Sequence, residues 1–405
     1  MEAPARLPSA NQHVVIAALG VATILAWGTS FYFPAVFAGP IVRDTQWSFE
    51  VVVSGTSVGL LVAGLAAPAV GRLINRYGGR PILLASSLLY AVGLSGVGLA
   101  PSSLFYLGSW AVVGLGMGCG LYDAVFAVLG RMYGRAARGP ITNLTLVGGF
   151  SSTICWPLSA LLIDAFGWRA ACLIYAGLHL CVSLPLQYAV VRRRQSGHED
   201  EQRDRTVVSG GVHPIPHERP IMILIGTIMS VATAVGAVVI VNMMTLLQAR
   251  GETFAAAVAL ATLFGPAQVG ARVFEFLFGK RYHPIYTLAA SCILMALGLL
   301  LLWLAVPVLA LVILCYGGGY GICWIARGTL PLALFGPSRF PVLIGRLAFP
   351  SLVSQALAPS LGAWLITAAG ANTTIAVLTL AAVLNVVLVA MLWAVCRPHV
   401  LVASC

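Results

Sequence analysis

Residues 51–81 read VVVSGTSVGLLVAGLAAPAVGRLINRYGGRP. From Val51 to Gly71 there is no Asp, Glu, Lys or Arg; Arg72, Arg76 and Arg80 then follow within nine positions, and Pro81 opens another apolar run. Crossing ~30 Å of hydrocarbon takes about 20 predominantly apolar residues, because in lipid a segment must satisfy its backbone polar groups internally. The stretch therefore reads as a membrane span, a tight basic turn and the start of the next span.

The same alternation extends outward in both directions. Val14 to Val42, Pro140 to Ile163 and Ala170 to Val191 are free of charge, and Pro81 to Tyr122 is a double-length run broken at Ala100-Pro101 and continued past Asp123. With the quoted span these make six helices. Six more follow at Pro220 to Ala249, Thr253 to Gly279, Pro284 to Ala305, Val308 to Leu332, Pro341 to Ala368 and Thr373 to Cys396. The expected architecture is all-α and integral to the membrane: twelve transmembrane helices in two pseudo-symmetric six-helix bundles, residues 1–191 and 220–405, joined by a polar linker over 192–219. The first run is too long for a signal-peptide core and lacks a small-residue cleavage site, so it is read as a retained helix.

Composition agrees. Of the 405 residues 60% are hydrophobic and only 9% charged, against roughly 25% charged in a soluble domain, which excludes an ordinary water-soluble enzyme. The net charge of +11 is too sparsely distributed to track a phosphate backbone, so no nucleic-acid partner is expected. It reports sidedness instead. With a cytoplasmic amino terminus, eighteen of the twenty-three Lys and Arg residues fall on one side, and only Arg43, Arg169 and Arg250 on the other, with Arg272 and Arg327 inside helices. By the bias of short cytoplasmic loops toward Lys and Arg, both termini and the linker are expected in the cytoplasm of a cell whose inner membrane this chain spans. Gly116-x-Gly118-x-Gly120 recurs as Gly317-x-Gly319-x-Gly321, and Pro68 to Arg72 loosely as Pro266 to Arg272, about 200 residues apart, as duplicated halves pairing across a cavity would require.

Gly71-Arg-Leu-Ile-Asn75-Arg76-Tyr-Gly78-Gly79-Arg80-Pro81 resembles the signature of the major facilitator superfamily between its second and third helices, Gly-x-x-x-Asp-Arg-x-Gly-Arg-Arg. Phe166-Gly167-Trp168-Arg169 is another phrase common among bacterial members. The resemblance implies a secondary transporter whose first, fourth, seventh and tenth helices line the cavity, and it makes Gly71, Asn75, Arg76, Gly78, Gly79 and Arg80 gate residues, with Arg131 beside them. Asn75 stands where the family has Asp, which implies a weaker latch. The Gly-Pro antiporter motif is missing from the fifth span, where Val147-Gly148-Gly149-Phe150 stands. The layout also resembles monocarboxylate porters and oxalate:formate antiporters, which hold a carboxylate with an arginine in the eighth helix. In the monocarboxylate porters that arginine directly precedes a proline, whereas here Gly265 precedes Pro266 and Arg272 lies about two turns later with Glu275 at i+3, so the expectation is a structural pair or gate, with substrate binding as the alternative.

Ionisable groups inside a span cost at least ~2.5 kcal/mol and usually face a bundle interior or aqueous cavity. Asp123 on the fourth span is therefore expected either to titrate during transport or to pair with Arg327 on the tenth when the cytoplasmic side closes; the alternative for Arg327 is to hold an anionic substrate through its planar fork of donors. Tyr32, Tyr122, Asn242, Trp324 and Gln355 are their candidate cavity neighbours. The functional expectation is a secondary active transporter of a small solute, driven by a proton or substrate gradient, with an organic anion as cargo and the chain acting as a monomer. Efflux of drugs or trivalent metalloids is the alternative, the latter through Cys119, Cys155 and Cys323; an integral membrane enzyme is a third class. No phosphate-binding loop or metal-ligand spacing occurs, so neither a cofactor nor a catalytic residue nor a resident metal is expected. His179, alone in its apolar run, is expected to make a helix contact.

Overall fold

The computed structural model describes residues 9–195 and 218–402. Among these residues the chain is helical, without strands, and forms twelve spans. Span α1 comprises Ser9–Gly28 and, after a break, Pro34–Thr45; α2 is Phe49–Tyr77, α3 is Gly79–Gly98, and α4 comprises Ser103–Gly120 and Tyr122–Tyr133. Arg138–Gly148 and residues 151–166 form α5, and residues 168–195 form α6. The second set is α7 (Glu218–Gln248), α8 (Phe254–Thr262 and Phe264–Phe278), α9 (Pro284–Trp303), α10 (Leu309–Phe335), α11 (residues 340–369) and α12 (residues 371–402). Residues 196–217 of the expected linker, and Arg6, lie outside the described residues.

Two glycines turn helix pairs back on themselves. Gly167, at φ 80° and ψ 162°, separates α5 from α6, and Gly370, at φ 82° and ψ 161°, separates α11 from α12. Only a residue without Cβ takes that backbone cheaply, so matching turns stand at matching places in the two halves. Other devices repeat as well. Ser86 on α3 donates to the Gly116 carbonyl on α4 at 3.0 Å, and Ser291 on α9 donates to the Gly319 carbonyl on α10 at 2.8 Å. Each Gly-x-Gly-x-Gly stretch thus lets its helix lie against the preceding one and offers a carbonyl to a serine there, from the first glycine in α4 and from the middle one in α10. Outward faces carry exposed large apolar side chains such as Leu65, Leu104, Leu161 and Leu380, which suit a hydrocarbon surround.

The halves meet at the end of the molecule that bears the α2–α3 turn, here called the basic end. Gly71 on α2 approaches the Pro341 carbonyl, and Gly345 on α11 approaches the Ala67 carbonyl, with no room for a Cβ at either. Gly130 on α4 lies under the ring of Phe340, and Gly328 on α10 against Phe126 and Ile141. Toward the far end the segments Pro34–Thr45 and Phe254–Thr262 make their main contacts within their own halves. The halves are thus closed against one another at the basic end, while these far-end segments pack chiefly on their own half.

Candidate functional site

Helix α4 breaks at Leu121, whose extended backbone (φ −77°, ψ 179°) restarts the helix at Tyr122 and puts Asp123 in its first turn. A carboxylate is favoured there by the unpaired N–H groups and the helix dipole. Across the junction Arg327 projects from the buried α10 and forks onto it: Nε donates to Asp123 Oδ1 at 2.7 Å and Nη2 to Oδ2 at 2.9 Å. The expected pairing of Asp123 with Arg327 is present in this state. The side chains are 13% and 5% exposed, so each ion depends on the other in surroundings that solvate neither. Arg327 Nη1 has no hydrogen-bond partner among the described residues.

Aromatic rings cover the pair. The Arg327 guanidinium sits 5.3 Å from the Trp324 ring. Trp324 meets Trp27 of α1 edge to face, with centroids 5.3 Å apart, and Tyr122 lies 4.9 Å from Trp27 and 5.6 Å from Trp324. Tyr32, on the far side of the α1 break, touches Trp27 at 6.2 Å and Trp156 of α5 at 6.0 Å. Tyr32, Tyr122 and Trp324 therefore come together in one ring cluster through Trp27, with Trp324 against Arg327 and Tyr122 next to Asp123 in the chain. Two other candidates do not join it: Asn242 donates to the Val238 carbonyl of its own helix at 3.0 Å, while Gln355 is buried on α11 with Nε2 unpaired among the described residues.

Arg272 departs from its expected partner. It does not pair with Glu275. Its side chain, only 3% exposed, donates from Nε to the Gly321 carbonyl of α10 at 3.0 Å, from Nη1 to the Thr145 carbonyl of α5 at 2.9 Å and from Nη2 to Gln268 Oε1 at 3.3 Å. Among the described residues no carboxylate pairs with it. The i, i+3 spacing fails because Gly148 and Gly149, just before the break in α5, leave space that the Tyr122 hydroxyl and the Arg272 guanidinium fill. Glu275 instead accepts from Thr287 at 2.7 Å and lies 3.9 Å from Arg138, which crosses from α5 to donate to the Tyr282 carbonyl at 2.7 Å and that of Gly279 at 2.5 Å.

The α2–α3 turn is bound mostly within its own half. Arg131 donates to the Ile74 carbonyl at 2.7 Å and to that of Asn75. Arg76 stacks on Tyr77 and Arg80 on Tyr188, 4.1 Å from its ring. Gly78 has φ 87°, and Gly79 packs on Val128 without room for a Cβ. Asn75 supplies its backbone carbonyl to this turn. Among the described residues no three His, Cys, Asp or Glu side chains gather as metal ligands would, which removes the geometric basis for a three-thiol metalloid site at Cys119, Cys155 and Cys323. Sequence reading missed Trp27, Trp156, Arg138 and the Thr145 carbonyl. The Gly148-Gly149 pair, which stands where the antiporter motif is missing, is the signal in the sequence for the last.

A two-half bundle closed at one end, with a charge pair and aromatic cluster at its junction, is the architecture that alternating access needs. Residues 18–331 match the family model for the Major Facilitator Superfamily, and the chain belongs to that superfamily of secondary transporters. Monocarboxylate transporter 2 of Mesocricetus auratus is 30% identical over 171 residues, covering 40% of this chain and 34% of that protein. Monocarboxylate transporter 3 of Rattus norvegicus is 32% identical over 177 residues, covering 42% and 34%. The chain thus spans about a third of the length of these relatives. Its fold is similar to that of the human organic anion transporter MFSD10 (TETRAN), with TM-score 0.71, 15% identity and coverage of 95% and 100%. It is also similar to FucP in the outward conformation, with TM-score 0.71, 11% identity and coverage of 94% and 99%.

Proposed function

We propose that this chain carries a small organic monoanion, a monocarboxylate, across the membrane by alternating access, with its basic end in the cytoplasm. The observation that supports it is Arg272. Asp123 and Arg327 neutralise one another, whereas Arg272 is a buried guanidinium whose described partners are all uncharged oxygens. A charge at the centre of a span costs ~2.5–3.5 kcal/mol, and an anion entering from the far end offsets that cost more fully than carbonyl dipoles do. The planar fork of Arg272 matches a carboxylate, while the rings of Trp27, Tyr122 and Trp324 offer an apolar wall for the rest of a small acid. The partial likeness to monocarboxylate transporters points the same way.

Asp123 supplies the coupling. In the sealed state the Arg327 fork holds the Asp123 carboxylate through two short bonds; as the halves separate, that fork opens. The carrier is driven by a proton or substrate gradient and acts as a single chain enclosing one pathway. The test is counterflow in proteoliposomes: preloaded unlabelled carboxylate accelerates entry of labelled carboxylate, and Arg272→Gln abolishes that acceleration without lowering the melting temperature. Full counterflow in Arg272→Gln overturns the assignment of the anion to Arg272. Absence of counterflow in the parent protein for any carboxylate, with counterflow of a neutral solute, overturns the cargo class.

A further inference from the structure

The break in α1 is held from outside the transport pathway, by a histidine on α6. Thr29 and Ser30 both fold their hydroxyls back onto the helix, Thr29 Oγ1 to the Leu25 carbonyl at 2.7 Å and Ser30 Oγ to the Ala26 carbonyl at 2.5 Å. Back-bonding of this kind loosens and bends a helix. The ladder then widens: the Tyr32 amide reaches the Trp27 carbonyl at 3.0 Å, five residues back, before the helix restarts at Pro34. Facing this wide turn is a second one. Residues His179–Ser183 form a π-helical turn in α6, and such single turns interrupt helices frequently at functional places.

His179 bridges the two wide turns. Its Nε2 lies 3.0 Å from Thr29 Oγ1. A threonine hydroxyl has one proton; with that of Thr29 directed to the Leu25 carbonyl, the imidazole tautomer that carries its proton on Nε2 donates in this bond. The ring is fixed in its turn by Tyr90 of α3, stacked on it with centroids 4.6 Å apart and planes within 8°; the Tyr90 hydroxyl lies 3.4 Å from Ser30 Oγ. His179 is 1% exposed, and among the described residues its ring stacks on Tyr90 rather than on the rings at the junction. Yet Trp27 and Tyr32, the α1 residues that close over Trp324 and Trp156, are the two ends of the hydrogen bond that spans the break.

We infer that His179 is a positioning residue for transport: by donating from Nε2 to Thr29 it fixes the geometry of the α1 break and thereby the spacing of Trp27 and Tyr32 over the substrate. This rests on the proposal that those rings line the transport site. Two substitutions divide the histidine's properties. His179→Phe keeps a ring to stack on Tyr90 and loses the donor, whereas His179→Gln keeps an N–H donor at similar reach and loses the ring.

The expected result is that His179→Phe raises the KM for carboxylate counterflow about fivefold, the factor one neutral hydrogen bond supplies, with maximal rate and melting temperature unchanged. His179→Gln restores the parent KM. Thr29→Val, nearly isosteric, reproduces the Phe phenotype, and serves if the histidine variants do not fold. Hydrogen–deuterium exchange of the amides of residues 30–36 gives a readout that needs no substrate: it accelerates in His179→Phe and Thr29→Val and not in His179→Gln. Parent-like exchange in all three overturns the inference, as does equal acceleration in Phe and Gln. Failure of the parent protein to transport carboxylates, with this exchange pattern intact, sinks the cargo reading alone.

Discussion

Taking a carboxylate and a guanidinium out of water costs most when only one of them is taken. At the junction of the halves Asp123 and Arg327 meet through two short bonds, so removing one partner strands the other. Asp123→Ala is expected to destabilise the sealed state by about 3–5 kcal/mol, and Asp123→Ala with Arg327→Ala to recover most of that loss without recovering transport. Thermal unfolding in detergent, with and without a monocarboxylate, checks it; equal instability of the single and double variants counts against a coupled pair. Asp123 and Arg327 were legible from the sequence because a charge deep in an apolar run has few places to go. Arg272 was legible as a residue and not as a role. Spacing along one helix points it to Glu275, and only the three-dimensional approach of the glycine break in α5 shows that a carbonyl across the junction captures it first.

At the scale of elements, the spans declared themselves through length and hydropathy, and the turn at Gly167-Trp168-Arg169 through its glycine. The interruptions inside spans did not. Val14 to Val42 reads as one continuous apolar run, but the chain breaks near Thr29 because two adjacent hydroxyls compete for helix carbonyls, a polar event hidden in an apolar composition. The restart of α4 at Tyr122 is equally silent, since Leu121 is an unremarkable residue in an extended conformation. Helix ends outside the span are more predictable. His283 caps α9 by accepting the Ile285 amide on Nδ1 at 3.3 Å, which only the unprotonated nitrogen can do. Burial, and then the neighbouring Arg138 charge, hold its pKa below the ordinary 6.5. The unfolded chain therefore binds this proton more readily than the folded one. The cap's contribution is complete above pH ~6.5 and is lost as pH falls below it. A melting temperature that declines from pH 7 to pH 5, and declines less in His283→Asn, is the expected observation.

At the scale of the whole molecule, alternation requires that the seal at the basic end be strong enough to form and weak enough to part. The seal is built of backbone approaches between α2 and α11, at Gly71 to Pro341 and Gly345 to Ala67, of the cross-half bonds of Arg138 to the α8–α9 turn, and of the central pair. Such contacts suit a reversible closure, because glycine backbones that touch bring dispersion without the desolvation cost of ions. A side chain at Gly345 must push the helices apart. Overpacking of ~1–3 kcal/mol converts to about 5- to 150-fold in the balance between sealed and parted states. Ile141, fully buried against α10 near Gly328, reports that balance. In a Cys181→Ser background, Ile141→Cys is expected to resist a water-soluble maleimide, and the addition of Gly345→Leu to raise its labelling rate within that range, while access from the far end declines. If Gly345→Leu leaves both rates unchanged, the glycine contact is not what closes the basic end. Closure would then rest on the charged bonds of Arg138, Asp123 and Arg327, and Arg138→Gln would open the cavity in its place.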